Sequence, residues 1–410
     1  MKRTVYFDHA ATTPLHAKVL EAMLPYLSDR FGNPSGAYTL GRQAARAVDE
    51  ARRAVAEVLG CRPREVVFTG AGTESINLAI KGVALAQKVA GMGNHVVTSA
   101  AEHHAVLHSC EYLERFGFET TYVAMDRFGM VSPDAVADAL TDRTVLVSVM
   151  LANNEVGTIN PVADVAAAVR ERGKKLRRRI PVHTDAVQAA NALALGVQTL
   201  GVDLLSLSSH KFYGPKGAGA LYIRGGTPLV PQQSGGGQER QRRAGTENVA
   251  AIVGTAAALR LAQGSRAEHS AASRRLRDRI MEGVLAAVPA ATLNGHPQQR
   301  LPNNAHFSFE GAESDDMLAA LDKRGIAASA GSACTSATWE PSHVLAAMGV
   351  PLARAVAALR LTVGPDNTDD EVDYFLSVLP EVVAQSRASR GAGRVSGGRT
   401  TTAPQAQEIG

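Results

Sequence analysis

Short runs of β-branched and apolar residues alternate along this chain with longer segments of helical period, and this alternation constrains the fold more than any other feature. The runs are Val66-Val67-Phe68-Thr69, Val96-Val97-Thr98, Val145 to Met150, Pro181-Val182-His183-Thr184, Leu204-Leu205-Ser206-Leu207 and Ala220-Leu221-Tyr222-Ile223. Stretches such as Ile76-Leu78-Ala79-Ile80-Val83 and Val162-Val165-Ala166-Val169 carry helical spacing between them. The pattern predicts an α/β fold with a mostly parallel, doubly wound sheet. Polar chemistry follows strand after strand: Gly70-Ala71-Gly72-Thr73, Glu102-His103-His104, Asn153-Asn154-Glu155, Asp185, then Ser208-Ser209-His210-Lys211. Ligands in such sheets bind beyond the carboxyl ends of the strands, so these residues are expected to converge.

Beyond about residue 260 the pattern shifts to an Arg/Ala-rich helix, then Asn304 to Phe309, a helix, and Leu359-Arg360-Leu361-Thr362-Val363. This reads as a smaller α+β domain. The expected division is 13–260 for the large domain, 1–12 with 261–385 for the small one, and a disordered tail over 386–410, where Gly, Ser, Thr, Ala and Arg leave few core formers.

Lys211 stands directly after an apolar strand, with hydroxyls and an imidazole before it and a Gly-Pro turn after it. Desolvation at a buried strand end lowers the pKa of an amine that must attack a carbonyl. The neighbouring hydroxyls suit a phosphate. The combination points to a lysine that holds pyridoxal phosphate (PLP), although such a run also occurs at ordinary strand ends. Gly70 to Ser75, opening a helix, offers backbone N–H groups and a dipole to the same phosphate, or is a plain helix start. Asp185 could keep a pyridinium nitrogen protonated, with Gln188 reaching the ring oxygen, or could be a helix cap.

His104 and His108 share a helix face, but the HExxH order is absent and no zinc site is expected. His103 suits stacking on a ring and moving protons. The cysteines Cys61, Cys110 and Cys334 lack CxxC spacing and are odd in number, which excludes a disulfide framework. Cys61 and Cys110 read as core fillers. Cys334, within Ser329-Ala330-Gly331-Ser332-Ala333-Cys334-Thr335-Ser336, reads as an accessible thiol. The net charge of +4 over 410 residues does not argue for nucleic acid. No apolar run nears the roughly eighteen residues of a membrane span, and no signal peptide is apparent, so a cytoplasmic protein is expected.

The chain resembles the cysteine desulfurases of the NifS/IscS type, class-V aminotransferases within the fold-type I PLP enzymes. The resemblance rests on Tyr6 to Pro14, Phe31-Gly32-Asn33-Pro34-Ser35, Gly72-Thr73-Glu74-Ser75, Glu102 to Val106, Asn153 to Gly157 and His183 to Gln188. It continues through the Lys211 run, Gly235 to Arg240, Gly245-Thr246-Glu247-Asn248 and Gly331-Ser332-Ala333-Cys334. It implies a seven-stranded sheet between helices and a homodimer. Lys211 would be the Schiff-base lysine and proton shuttle, with His103 stacking on the ring and handling substrate protons. Asp185, Gln188 and Asn154 would hold the ring, while Gly72, Thr73, Ser208 and His210 take the phosphate with Thr246 of the other subunit. Asn154 and Arg360 would bind the carboxylate of L-cysteine, and Cys334 would accept sulfur as a persulfide, leaving L-alanine. An acceptor protein, either an iron–sulfur scaffold or a tRNA-thiolation relay, would follow. Selenocysteine lyase is the alternative, since it would share every cofactor residue. An aminotransferase has no need of an accessible Cys334, and a catalytically dead scaffold would be expected to lack Lys211 or Asp185. Thr69-Gly70-Ala71-Gly72 departs slightly from the family's usual turn. The basic segment 173–179 is longer than usual and is expected to be a solvated turn.

Overall fold

A computed structural model describes residues 4–331 and 341–395, so Cys334 lies outside the described residues. The strands are β1 (Val5–Tyr6), β2 (Val66–Thr69), β3 (His95–Ser99), β4 (Glu119–Val123), β5 (Thr144–Ser148), β6 (Val182–Asp185), β7 (Leu204–Ser208), β8 (Gly219–Ile223), β9 (Ala291–Asn294), β10 (Asn304–Phe309), β11 (Ile326–Ala327) and β12 (Ala358–Thr362). Seven of them form one sheet in the order β2-β8-β7-β6-β5-β3-β4. β8 runs antiparallel to both its neighbours, and the other pairings are parallel. Strands β2, β3 and β5 to β8 are buried along their whole length, which is why they read as unbroken apolar runs.

Helices cover both faces. On one side α1 (Ala17–Leu27), α2 (Thr39–Leu59) and the helices Val162–Lys175 and Val249–Gly264 pack through Val19, Val55, Leu59, Val165, Val169 and Leu259. On the other, α3 (Gly72–Val89) and α4 (His104–Glu114) bury Ile76, Ile80, Val83, Val106 and Leu113. The chain leaves β3 for the edge strand β4 and returns to β5 on the other side of β3. A crevice therefore opens beyond the carboxyl ends of β3 and β5, where the direction of winding reverses.

A second core joins Val5 and Phe7 to the helices Arg266–Ala287 and Asp369–Val395 and to the antiparallel sheet β12-β10-β9. β1 pairs in parallel with β11, and Asp8 bridges to Thr362 at the end of β12. The N-terminal segment thus crosses from the small sheet to the large one.

Two expectations need correction. The final helix runs to Val395, past the expected start of a disordered tail at Ser386. Ser386 is buried and its hydroxyl accepts the Glu313 N–H at 2.9 Å, and Arg387 donates to the carbonyls of Glu310 and Pro289. The basic segment is not simply solvated either: Arg178 donates to the Met92 carbonyl and Arg179 pairs with Asp203 at 2.9 Å.

Candidate active site

A cavity of about 320 Å³ opens at the carboxyl edge of the large sheet. Gly72, Thr73, His103, Asn154, Asp185, Gln188, Ser208, His210, Lys211 and Arg360 all line it. Residues from four successive parallel strand ends thus meet the start of α3 and one residue of β12.

At one end of the cavity lies a cradle for an anion. Ala71, extended at φ −172°, precedes α3 without a capping side chain, so the first-turn N–H groups carry no side-chain acceptor. Ser208 and Thr73 supply hydroxyls beside it, and His210 Nδ1 lies 3.0 Å from Thr12 Oγ1. Gly72 is required by close approach, because a Cβ there would stand 2.9 Å from Ser208 Cβ.

Lys211 follows β7 on a single 3-10 turn, Ser209–Lys211. Its Nζ donates to the carbonyls of Ala10 at 2.6 Å and Ala11 at 2.7 Å, and Asn191 holds its own carbonyl at 2.7 Å. Asp185 ends β6 and is buried. That burial lifts its carboxyl to about 6, against the opposing pull of the Val187 N–H and the Lys211 charge. Gln188 Nε2 donates to the Ala10 carbonyl at 3.0 Å.

His103 caps α4, its Nδ1 accepting the Ala105 N–H at 3.0 Å. Burial first, and the Lys211 charge second, lower its pKa to about 4. The ring is therefore neutral near pH 7, and with Nδ1 occupied as an acceptor its proton sits on Nε2.

Arg360 is 1 % exposed. Its Nη1 donates to the carbonyls of Asn154 at 2.8 Å and Gly331 at 3.0 Å, and its Nη2 to Asp8 Oδ1 at 2.8 Å. Among the described residues its Nε–H has no acceptor.

Thr246 is exposed and does not line the cavity within this chain. Among the described residues no group of three or more His, Cys, Asp or Glu side chains is arranged to hold a metal ion. Cys61 and Cys110 are raised to about 12, mainly by burial, and stay protonated.

Several participants carried no role in the sequence reading. Glu102, wholly buried, receives the Met150 N–H at 2.8 Å and the Ser99 hydroxyl at 3.0 Å; burial lifts it to about 8, so it is protonated near neutrality. His343 reaches the wall from a distant helix, its ring 4.5 Å from that of His104. Glu155 accepts from the Ser342 hydroxyl at 2.5 Å. The Glu102-His103-His104 and Asn153-Asn154-Glu155 runs contained two of these residues, but only burial distinguishes a structural carboxyl from a surface one.

Residues 5–375 match the Aminotransferase class-V family. The chain is 49% identical over 385 residues to the cysteine desulfurase IscS of Methanosarcina thermophila, covering 94% of this chain and 93% of that protein. It is also similar to the solved structure of a NifS-like protein, with TM-score 0.86 and 38% identity over 93% of this chain and all of that one. The structure of SspA in complex with cysteine aligns with TM-score 0.76 and 36% identity, covering 89% of this chain and all of that one. The relatives' names favour cysteine desulfurase over selenocysteine lyase. The chain belongs to the class-V aminotransferase family, within its branch of NifS/IscS-type cysteine desulfurases.

Proposed function

We propose that this protein is a PLP-dependent cysteine desulfurase that converts L-cysteine to L-alanine and leaves the sulfur on Cys334. The observation that carries the reading is one cavity lined by Lys211, the buried Asp185, neutral His103, the uncapped start of α3 and Arg360, whose Nε–H has no acceptor among the described residues.

The residues fit PLP. The α3 N-terminus with Thr73, Ser208 and His210 would take its phosphate, and Asp185 its pyridinium nitrogen. Asn154 and Gln188 would hold the ring, His103 would lie over it, and Lys211 would bind it covalently. When bound, PLP supplies an electron sink for charge developing at the substrate Cα.

The chain's own residues do the rest. Arg360 has five N–H donors, and the described residues accept from three, leaving the Nε–H and one Nη2–H for a substrate carboxylate. The Lys211 amine would move the proton at the substrate Cα. His103 donates from Nε2 at the substrate side. The Cys334 thiolate attacks the substrate sulfur, the Cβ–S bond breaks, and protonation yields alanine and the Cys334 persulfide.

The protein acts as a homodimer, with Thr246 of each subunit closing the phosphate site of the other. It passes sulfur to an acceptor protein for iron–sulfur cluster assembly or tRNA thiolation. Among the described residues no helix is long and apolar enough to cross a membrane, and we assign its work to the reducing cytoplasm, where a free persulfide thiol survives.

The PLP-loaded protein, given L-cysteine, should release alanine, and mass spectrometry should find one added sulfur on Cys334. Cys334→Ser should retain PLP and lose sulfur release. Sulfur on Cys61 or Cys110 instead, or faster turnover of selenocysteine than of cysteine, would overturn the reading.

A further inference from the structure

We propose that Asp8 is a positioning residue that aims the Arg360 guanidinium at the substrate carboxylate, and thereby sets the preference for amino acids over simple amines. The inference rests on the role of Arg360 given above.

The guanidinium is held at two nitrogens by two kinds of group. Nη1 is pinned by the main-chain carbonyls of Asn154 and Gly331. A planar group held at one nitrogen can still swing about it. The second point is Asp8 Oδ1, 2.8 Å from Nη2, and with it the plane is fixed. The Nε–H and the remaining Nη2–H lie in that plane; the Nε–H is buried with no acceptor among the described residues, and the arginine lines the cavity.

Asp8 is itself firmly placed. Its carbonyl accepts from Tyr6 Oη and from the Ala11 N–H, each at 3.0 Å, and its backbone bridges to Thr362, two residues beyond Arg360 on β12. The carboxylate and the guanidinium it orients therefore stand on one small framework. The side chain of Asp8 is 18 % exposed and that of Arg360 only 2 %, so Asp8 also offsets a charge that water does not reach. A carboxylate so close would weaken a second carboxylate's binding if charge alone mattered. Its benefit must come from orientation, which a neutral acceptor at the same place would preserve.

That distinction supplies the test. The PLP-loaded enzyme is titrated with L-cysteine and with cysteamine, which has the amine and thiol but no carboxylate, and the cofactor absorbance is followed. The readout is the ratio of the two affinities. Asp8→Ala should lower the preference for cysteine by about tenfold or more, the worth of a well-aimed hydrogen bond to a charged group. Its affinity for cysteamine should not change. Asp8→Asn, which keeps Oδ1 as an acceptor, should retain most of the preference. Should Asp8→Ala not accumulate as folded protein, Asp8→Ser replaces it, its hydroxyl one bond too short to reach Nη2. An unchanged ratio in the alanine variant, an equal loss for both ligands, or an asparagine variant as poor as the alanine one each overturns the proposal. Arg360→Lys should abolish the preference; if it does not, the reading of Arg360 itself fails, whatever Asp8 does.

Discussion

Lys211 Nζ lies 2.6 Å from the carbonyl oxygen of Ala10, a residue 201 positions earlier in the chain. The amine is drawn toward the N-terminal segment as well as toward its own sheet, and Ala11 shares it at 2.7 Å. Borohydride treatment of the PLP-loaded protein should therefore place the reduced adduct on Lys211, and Lys211→Ala should lose both the yellow colour and alanine production. Lys216 faces a separate cavity with Tyr6 and His9, so an adduct mapped there would contradict the assignment.

His103→Ala should cost about 10² to 10⁴-fold in turnover, the usual worth of a positioned acid or base, while PLP content stays near wild type. With the ring held neutral down to about pH 4, the pH profile of the wild type should show no acid limb from this histidine near its ordinary value of 6.5. A limb near 6.5 that disappears in the alanine variant would show that the buried ring titrates normally.

The cofactor-free protein should be most stable slightly below neutral pH. Burial lowers His9, His103 and His210 to about 4, and His183 and His306 to about 3. Below their unfolded value of 6.5 the unfolded chain binds protons that the folded one refuses, so stability falls as pH drops from 6.5 toward 4. Glu102 and Asp185 act in the opposite sense. Raised to about 8 and 6 by burial, they keep protons that the unfolded chain has lost, and stability declines as pH rises through those values. Melting temperatures across pH 4.5 to 9 should trace a dome; a steady rise to pH 9 would be inconsistent with a protonated Glu102.

Mixed dimers of Lys211→Ala and Thr246→Ala subunits test whether Thr246 serves its neighbour. One of the two sites in such a heterodimer then keeps both wild-type residues, so activity should exceed that of either parent. A verified heterodimer with no gain would place Thr246 outside the site. The three left-handed residues Glu239, Arg240 and Gln241 precede it, at φ 46°, 56° and 64° without a glycine, and the buried Arg52–Glu239 pair at 2.7 Å holds this turn.

Ending the chain before Ser386 should lower the melting temperature by about 2–6 °C, since it removes buried or specific hydrogen bonds to Glu313, Glu310 and Pro289 worth about 1–2 kcal/mol together. Ending it after Val395 should keep all of these bonds and the wild-type melting temperature. Equal melting of both truncations would show that the last turns of the helix contribute nothing.

The large sheet was legible because its central strands are buried on both faces. β4 was not. Glu119-Thr120-Thr121-Tyr122-Val123 is a half-exposed edge strand whose polar side chains mask its role. The orientation of β8 was also hidden, although only Ser209 to Ala218 separates it from β7, too short a link for a parallel crossover. Strand-end residues of the cavity announced themselves, but His343 on its wall and Asp8 behind Arg360 did not. Their place depends on contacts between segments more than two hundred residues apart, which no local pattern encodes.

The bond between Asp8 and Arg360 spans 352 positions of the chain. Arg360 is synthesised after every strand of the large sheet, the last of which ends at Ile223. The large sheet can thus be complete before Asp8 has its partner. The Asp8–Arg360 pair forms only when β12 docks against the N-terminal segment.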